Sequence, residues 1–260
     1  MRTLKAIWMP TWRCNLACTY CGARQYPHGN HAQPELTPEE WIEAFNSWPE
    51  RWGQVSVTGG EYSVYKGFAD VLSATDFPFT LDTNLRTDAT KYLRPEWLDR
   101  LMGVYTSLQF DPEHELGRAY FAHLRALRAS LPDRVDVNCR YMPLWRDLPE
   151  RVEIVKQRVA EIRRVWLSIG CFDHSFLFKG ILPEQEGRCP SCSGGHDFVV
   201  LCPDGGVFRC LGHLYAEYEY LGNVREGLAT ILHSAPQPCE RLICTACDNV
   251  TKADIETPEG

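Results

Sequence analysis

Cys14, Cys18 and Cys21 stand in the run Cys14-Asn15-Leu16-Ala17-Cys18-Thr19-Tyr20-Cys21. The spacing C-x3-C-x2-C lets one short loop wrap three thiolates around the corners of an iron–sulfur cubane. A 4Fe–4S cluster takes four ligands. Three local cysteines therefore leave one iron without a protein ligand, and that open position is where a substrate or cosubstrate binds. Zinc is the competing reading, but zinc favours paired C-x2-C units that together supply four ligands.

Further along, Val57-Thr58-Gly59-Gly60-Glu61 offers two glycines that let backbone groups approach a ligand closely. The Glu61 carboxylate can accept hydrogen bonds from a cationic amine. Arg140 carries a fork that suits a carboxylate bidentately. The last third is dense in cysteine, with Cys189, Cys192, Cys202, Cys210, Cys239, Cys244 and Cys247. A second iron–sulfur cluster and a structural zinc both suit that set, since C-x2-C pairs also make tetrahedral zinc sites. Cys139 and Cys171 fall in strand-like runs and read as buried small residues. The eight histidines show no ligand spacing. His114 and Glu115 follow the fourth strand-like run, and a solvated loop is as good a reading for them as a place near substrate.

These residues need elements to hold them. Apolar, β-rich runs at 4–9, 54–58, 79–83, 104–110, 134–141 and 165–171 read as strands. Amphipathic segments at 38–48, 66–74, 95–102, 116–130 and 148–162 read as helices. Thr37, Pro38 and Glu40 form the signature of a capping box at the first. Strands alternating with helices imply α/β architecture with a parallel sheet and right-handed crossovers. Six units make a partial (β/α)6 barrel, where eight would close the usual one. The cysteine run follows the first strand directly, at the carboxyl end where such sheets place their sites. After about residue 180 cysteine and glycine become dense. Residues 198–201 and 206–209 flank Pro203-Asp204-Gly205 as a hairpin, and 228–233 reads as a helical turn or two. The expected division is a core at 1–181 and a small cysteine-rich domain at 182–260, with the boundary near Leu182.

The cysteine run, Gly59-Gly60-Glu61 and their order resemble the radical S-adenosylmethionine (radical SAM) superfamily over roughly residues 4–180. The resemblance implies that the unique iron chelates the amino and carboxylate groups of S-adenosylmethionine. It implies reductive cleavage to methionine and a 5′-deoxyadenosyl radical, which abstracts a hydrogen from the substrate. Tyr20 matches the family's aromatic position near the adenine. Gly59, Gly60 and Glu61 match the motif that holds the amino group, with Tyr62 where the family often has proline. Thr83 and Asn84 match a Thr-Asn-Gly motif in which Leu85 replaces the glycine. Ser107, Asn138 and Arg140 lie where relatives contact the ribose and the carboxylate of the cosubstrate. The C-terminal region resembles the SPASM/Twitch extension, which carries auxiliary iron–sulfur clusters. No cysteine follows Cys247, so the shorter Twitch form with one auxiliary 4Fe–4S cluster fits better. Its implied ligands are Cys192, Cys210, Cys244 and Cys247. Cys239 is a rival for one place, Cys189 could replace Cys192, and the role of Cys202 is open. An electron donor of flavodoxin or ferredoxin type is implied as partner.

The leading reading is radical chemistry on a small polar metabolite, a sugar or aminocyclitol that is oxidised or epimerised. The chain begins almost at its first strand, so no N-terminal peptide-binding domain is expected. Maturation of a ribosomal peptide by crosslinking or epimerisation is the second reading, and an electron-relay iron–sulfur protein the third. Composition limits the rest. The formal net charge of −7 in 260 residues disfavours nucleic acid. The N-terminus has no long apolar stretch or small-residue cleavage site, and no apolar run is long enough to cross a membrane. Twelve cysteines in such a chain suit metal or redox chemistry better than disulfides, and the cytoplasm is the expected compartment.

Overall fold

Parallel strands covered on both faces read as continuous apolar runs. The strands of this chain alternate instead, and that alternation decides how its sheet is used. The computed structural model describes residues 3–18, 21, 34–141, 149–169, 189–192, 194–210 and 219–239. Within them β1 (Thr3–Trp8), β2 (Arg51–Val57), β3 (Phe79–Thr83), β4 (Leu101–Leu108), β5 (Asp136–Tyr141) and β6 (Val165–Ile169) lie side by side in chain order. Every neighbouring pair is parallel. The connections carry α1 (Pro38–Asn46), α2 (Phe68–Ala74), α3 (Glu115–Ser130) and α4 (Pro149–Ala160).

One face of the sheet is apolar. Val55, Val57, Phe79, Leu81, Val104, Leu108 and Val137 are buried against Trp41, Phe45, Phe68, Phe121 and Leu124 of the helices. Trp8 sits at the centre of an aromatic group, with Trp41 and Phe45 edge-on at 5.5 and 5.2 Å between centroids. The residues between these positions point the other way, because side chains alternate along a strand. They are polar from β2 to β6, with Ser56, Asp82, Ser107, Asn138, Arg140 and Ser168 on this inner face. Tyr105 and Trp166 share it and are exposed. This strip is where the strands can present chemistry.

The expected capping box is present: Thr37 Oγ1 accepts from the Glu40 backbone at 3.3 Å and Glu40 accepts from the Thr37 backbone at 2.8 Å. The helix expected at 95–102 is not. Only Pro95–Trp97 make a single tight turn, and β4 already begins at Leu101. Core burial wins over local propensity here. Trp97 and Leu101 are both buried, and the Phe79 backbone N–H donates to the Arg100 carbonyl at 3.0 Å, so the chain must already be extended.

Beyond the expected boundary near Leu182, which lies outside the described residues, the chain forms β7 (Cys189–Cys192), β8 (Phe198–Leu201), β9 (Gly206–Phe208), β10 (Tyr220–Asn223), the short helix α5 (Leu228–Ile231) and β11 (Gln237–Cys239). The predicted hairpin is β8–β9. Gly205, at φ +84°, makes its turn. The hairpin extends the first sheet: β8 pairs in parallel with β1 on the side away from β2, giving the order β10-β9-β8-β1-β2-β3-β4-β5-β6. β7 and β11 form a separate antiparallel pair in which Cys239 stands opposite Cys189 and Gln237 opposite Cys192. Among the described residues no helix is long and apolar enough to cross a membrane.

Arg209, 1% exposed, holds these C-terminal pieces together. It donates to the Gly194 carbonyl at 2.9 Å, to the Pro238 carbonyl at 3.0 Å, to the Gln237 carbonyl, and to the Glu219 carboxylate at 2.9 Å. Arg209→Met would remove the donor that these three carbonyls share, the Gly194 bond fully buried and the other two partly so. A stability loss of about 3 kcal/mol is expected, measured as a lower urea midpoint with an unchanged slope.

Candidate functional site

The loop that carries the cysteines begins where β1 ends, and its backbone is fastened to the segment after β2. Thr58 N–H donates to the Trp8 carbonyl at 2.9 Å, Gly60 N–H to the Thr11 carbonyl at 2.8 Å, and Glu61 N–H to the Arg13 carbonyl at 2.9 Å. This continues the β1–β2 pairing past both strands. A Cβ on Gly60 would lie 2.0 Å from the Arg13 carbonyl oxygen, and one on Gly59 would lie 2.7 Å from that of Thr11. Gly59 also sits at φ +106°. The glycines thus permit a close approach to the cysteine loop, and both also line the cavity where sequence reasoning expected a ligand.

Side chains stiffen the same loop. Thr11 is fully buried and its hydroxyl donates to Glu35, while it accepts from the Arg13 backbone at 2.9 Å. Glu35 in turn takes Arg13 in a two-pronged ion pair at 2.8 and 2.6 Å. The three cysteines that follow, Cys14, Cys18 and Cys21, all face one cavity of about 200 Å³. Burial pushes the Cys14 thiol up, opposed by the Leu16 backbone, with Glu61 and Cys21 adding to the rise and the Asn84 amide offsetting it.

The rest of the wall comes from the carboxyl ends of β2 to β5: Thr58, Gly59, Gly60 and Glu61, then Asp82, Thr83 and Asn84, then Ser107 and Gln109, then Arg140. Glu61 is 2% exposed. It accepts from Thr83 Oγ1 at 3.0 Å, from the Asn84 backbone at 2.9 Å and from Ser63 Oγ at 3.3 Å. Burial raises its pKa against those donors and the Ser63 backbone N–H. Ser107 and Arg140 are register partners on adjacent strands.

Of the residues singled out from sequence, Cys14, Cys18, Cys21, Gly59, Gly60, Glu61, Thr83, Asn84, Ser107 and Arg140 meet around this cavity. Asn138 does not line it. It lies one step deeper on β5, where its carboxamide accepts from Ser168 Oγ at 2.9 Å. Tyr20, Cys244 and Cys247 lie outside the described residues, as does Cys171. Cys192 belongs to β7. Cys210 and Cys202 are buried in an apolar cluster with Met9, Trp12, Phe198 and Phe208, and Cys21 packs against that cluster. His114 caps α3, accepting from the Leu116 backbone at 3.3 Å.

Two wall residues escaped the sequence reading. Asp82 is one: burial raises its pKa, while the Arg140 guanidinium and the Thr58 hydroxyl pull it down. The signal was an acid inside the strand Phe79–Thr83, two residues from Thr80 and on the same face. Gln109, just past β4, meets Cys18 through its carboxamide; nothing in its sequence setting marks it.

The donor set fits an iron–sulfur cluster with one open iron. Three thiols face one cavity, and among the described residues no further cysteine or histidine lines it. Among the described residues no three His, Cys, Asp or Glu side chains stand close enough together to hold a single metal ion.

A family model described as Radical SAM superfamily matches residues 8–136. No curated protein matches the chain. Among solved structures, the chain is similar to SuiB of Streptococcus suis bound to its precursor peptide SuiA, with TM-score 0.58 and 13% identity. That likeness covers 90% of this chain and 65% of SuiB. It is similar to anSMEcpe with bound AdoMet at TM-score 0.58 and 16% identity, covering 90% and 80%. SuiB bound to S-adenosylmethionine gives TM-score 0.52 and 12% identity, covering 90% and 66%. The chain thus spans just under two thirds of the length of SuiB. At these identities the likeness is one of fold, and with the family match it supports the radical SAM superfamily.

Gly60→Ala tests the contact on which this site is built. The added methyl would force the Arg13 carbonyl away, and a loss of at least about 2 kcal/mol is expected for such overpacking. Iron bound at the Cys14 loop should fall with it, measured by iron analysis after anaerobic reconstitution.

Proposed function

We propose that the chain is a radical SAM enzyme whose first 4Fe–4S cluster is held by Cys14, Cys18 and Cys21. The observation that carries this reading is the meeting of those cysteines with Glu61, Ser107 and Arg140 around one cavity at the carboxyl ends of parallel strands. When bound, the cluster would supply the electron that cleaves the sulfonium of S-adenosylmethionine to methionine and a 5′-deoxyadenosyl radical.

The chain's own residues then have distinct tasks. Glu61 takes the ammonium of the cosubstrate with its remaining acceptor capacity, and a cation there keeps its buried carboxylate ionised. Arg140 binds the carboxylate, and Ser107 beside it binds a ribose hydroxyl. Gly59 and Gly60 hold the cysteine loop against β2. We assign Tyr20 to the adenine on resemblance alone. Thr83 and Asn84 act through their bonds to Glu61, and Asn138 supports β5 from below.

For the substrate, Asp82 and the polar inner face around it favour a small polar metabolite that is oxidised or epimerised. A peptide substrate is the second reading, favoured by the fold's likeness to SuiB bound to SuiA and to anSMEcpe. We assign residues 1–181 to the radical SAM core and 182–260 to a Twitch/SPASM-like domain with an auxiliary 4Fe–4S cluster. Cys192, Cys210, Cys244 and Cys247 are its proposed ligands. The pairing of β7 with β11, which sets Cys189 opposite Cys239, keeps those two as rivals. A flavodoxin or ferredoxin in the cytoplasm is the proposed electron donor.

Reconstituted protein should hold about eight irons. Replacing Cys14, Cys18 and Cys21 together by Ala should leave about half of them and abolish release of 5′-deoxyadenosine under reduction. Deoxyadenosine release that survives the triple substitution would sink the reading. Glu61→Gln keeps the shape of the site and most of its hydrogen bonds but removes the charge. It should retain its iron and bind S-adenosylmethionine at least about tenfold more weakly, as measured by equilibrium dialysis. Deuterium transfer into deoxyadenosine from labelled aminocyclitols, or from labelled peptides, separates the two substrate readings.

A further inference from the structure

Asn84 and Gln109 both place a carboxamide against a sulfur of the cysteine loop. Asn84 follows β3 directly and is 7% exposed. Its Nδ2 donates to Cys14 Sγ at 3.4 Å and to Asn15 Oδ1 at 2.8 Å. Its Oδ1 accepts from the Arg86 backbone at 2.8 Å, and its backbone N–H is taken by Glu61. The side chain is therefore spent on the chain itself and has no donor left for a cosubstrate. Gln109 follows β4, and its carboxamide oxygen meets the Cys18 thiol. Once that sulfur is a thiolate it has no proton to give. The same carboxamide, turned about its last torsion, then presents its N–H in place of its oxygen, since the two ends are nearly isosteric.

We propose that Asn84 and Gln109 are N–H···S donors to the Cys14 and Cys18 thiolates of the first cluster, and that they raise its reduction potential. The proposal rests on the functional reading above and assigns both residues a positioning role. The physical cause is charge. Reduction adds one electron to a cluster already wrapped in thiolates, and a donor pointed at a ligand sulfur stabilises the added charge, which raises the potential. The electron comes from the external donor, no proton moves, and no bond is made or broken at either carboxamide. Both donors sit at the ends of paired strands, so their positions are set by the sheet and not by the loop that binds the iron.

The test uses the full chain, reconstituted anaerobically, with the variants Asn84→Leu, Gln109→Met and both together. The readout is the midpoint potential of the reduced-cluster EPR signal that changes when S-adenosylmethionine is added. Iron content and thermal unfolding are measured beside it. In the double variant the ratio of reduced to oxidised cluster at fixed potential should fall about tenfold, equivalent to about 59 mV for one electron, with each single variant moving part of the way in the same direction. Fully iron-loaded variants with unshifted potentials would overturn the proposal. So would an iron-deficient Asn84→Leu combined with an unshifted, fully loaded Gln109→Met. If the unmutated chain itself shows no signal that responds to S-adenosylmethionine, the functional reading fails instead, and the two failures are distinct.

Discussion

Everything at this site hangs on a strip of backbone pairing that outlasts the strands it began with. β1 and β2 end, yet their pairing goes on through the Thr11 and Arg13 carbonyls to the N–H groups of Gly60 and Glu61. The two chains come so close that Gly60 has no room for a methyl group. This contact fixes the start of the cysteine loop relative to the sheet, and it aims the Glu61 side chain inward toward β3. A loop able to wrap a cluster must be irregular, and irregular backbone is held in place only by such external bonds. Thr11, Glu35 and Arg13 supply the rest of that hold from side chains.

The second constraint is the unequal clothing of the sheet. Helices cover one face with aromatic and aliphatic side chains, so the strands are rigid where they must position groups. The other face stays polar over β2 to β6. Two carboxylates, Glu61 buried and Asp82 half-buried, sit on this side of the molecule with different remaining capacity. Glu61 already accepts hydrogen bonds from Ser63, Thr83 and Asn84, whereas Asp82 answers mainly to Arg140 and Thr58. A carboxylate in a low-dielectric wall favours a cationic or donor ligand, because burial without one disfavours its charge. The cavity is thus biased toward molecules that bring an ammonium or hydroxyl group to one side and an anion to Arg140.

The C-terminal third is tied into the same frame. β8 adds to β1 in parallel, and the inner side of that hairpin carries Cys202 and Cys210 into an apolar cluster that Cys21 also touches. Arg209 gathers the hairpin, the start of β10 and β11 with one buried guanidinium. Its planar fork can serve several carbonyls at once, which a lysine could not do. The ion pair of Glu40 with Arg225 links α1 to the same region from outside at 2.7 Å. The cysteine-rich third therefore leans on the first strand of the core and on its first helix.

Much of this was legible in the residues alone. The six parallel strands follow from short β-rich runs with alternating apolar positions and turn residues between them, because a sheet buried on one face demands that pattern. The cysteine loop follows from spacing, because three thiolates within one short run can meet without help from the fold. The capping box at Thr37 and Glu40 and the turn at Gly205 are equally local, each depending on residues a few positions apart. The helix expected at 95–102 failed because Trp97 and Leu101 are needed in the core, a demand set by distant neighbours. Likewise only the tertiary structure brought Gln109 to Cys18 and Asp82 toward Arg140. Only it added a contact with the cysteine loop to the glycines of the cavity wall, and set the Asn84 amide against a sulfur. Short-range geometry is written in sequence spacing, but which strand end faces which loop depends on the register of the whole sheet, and no local pattern encodes that.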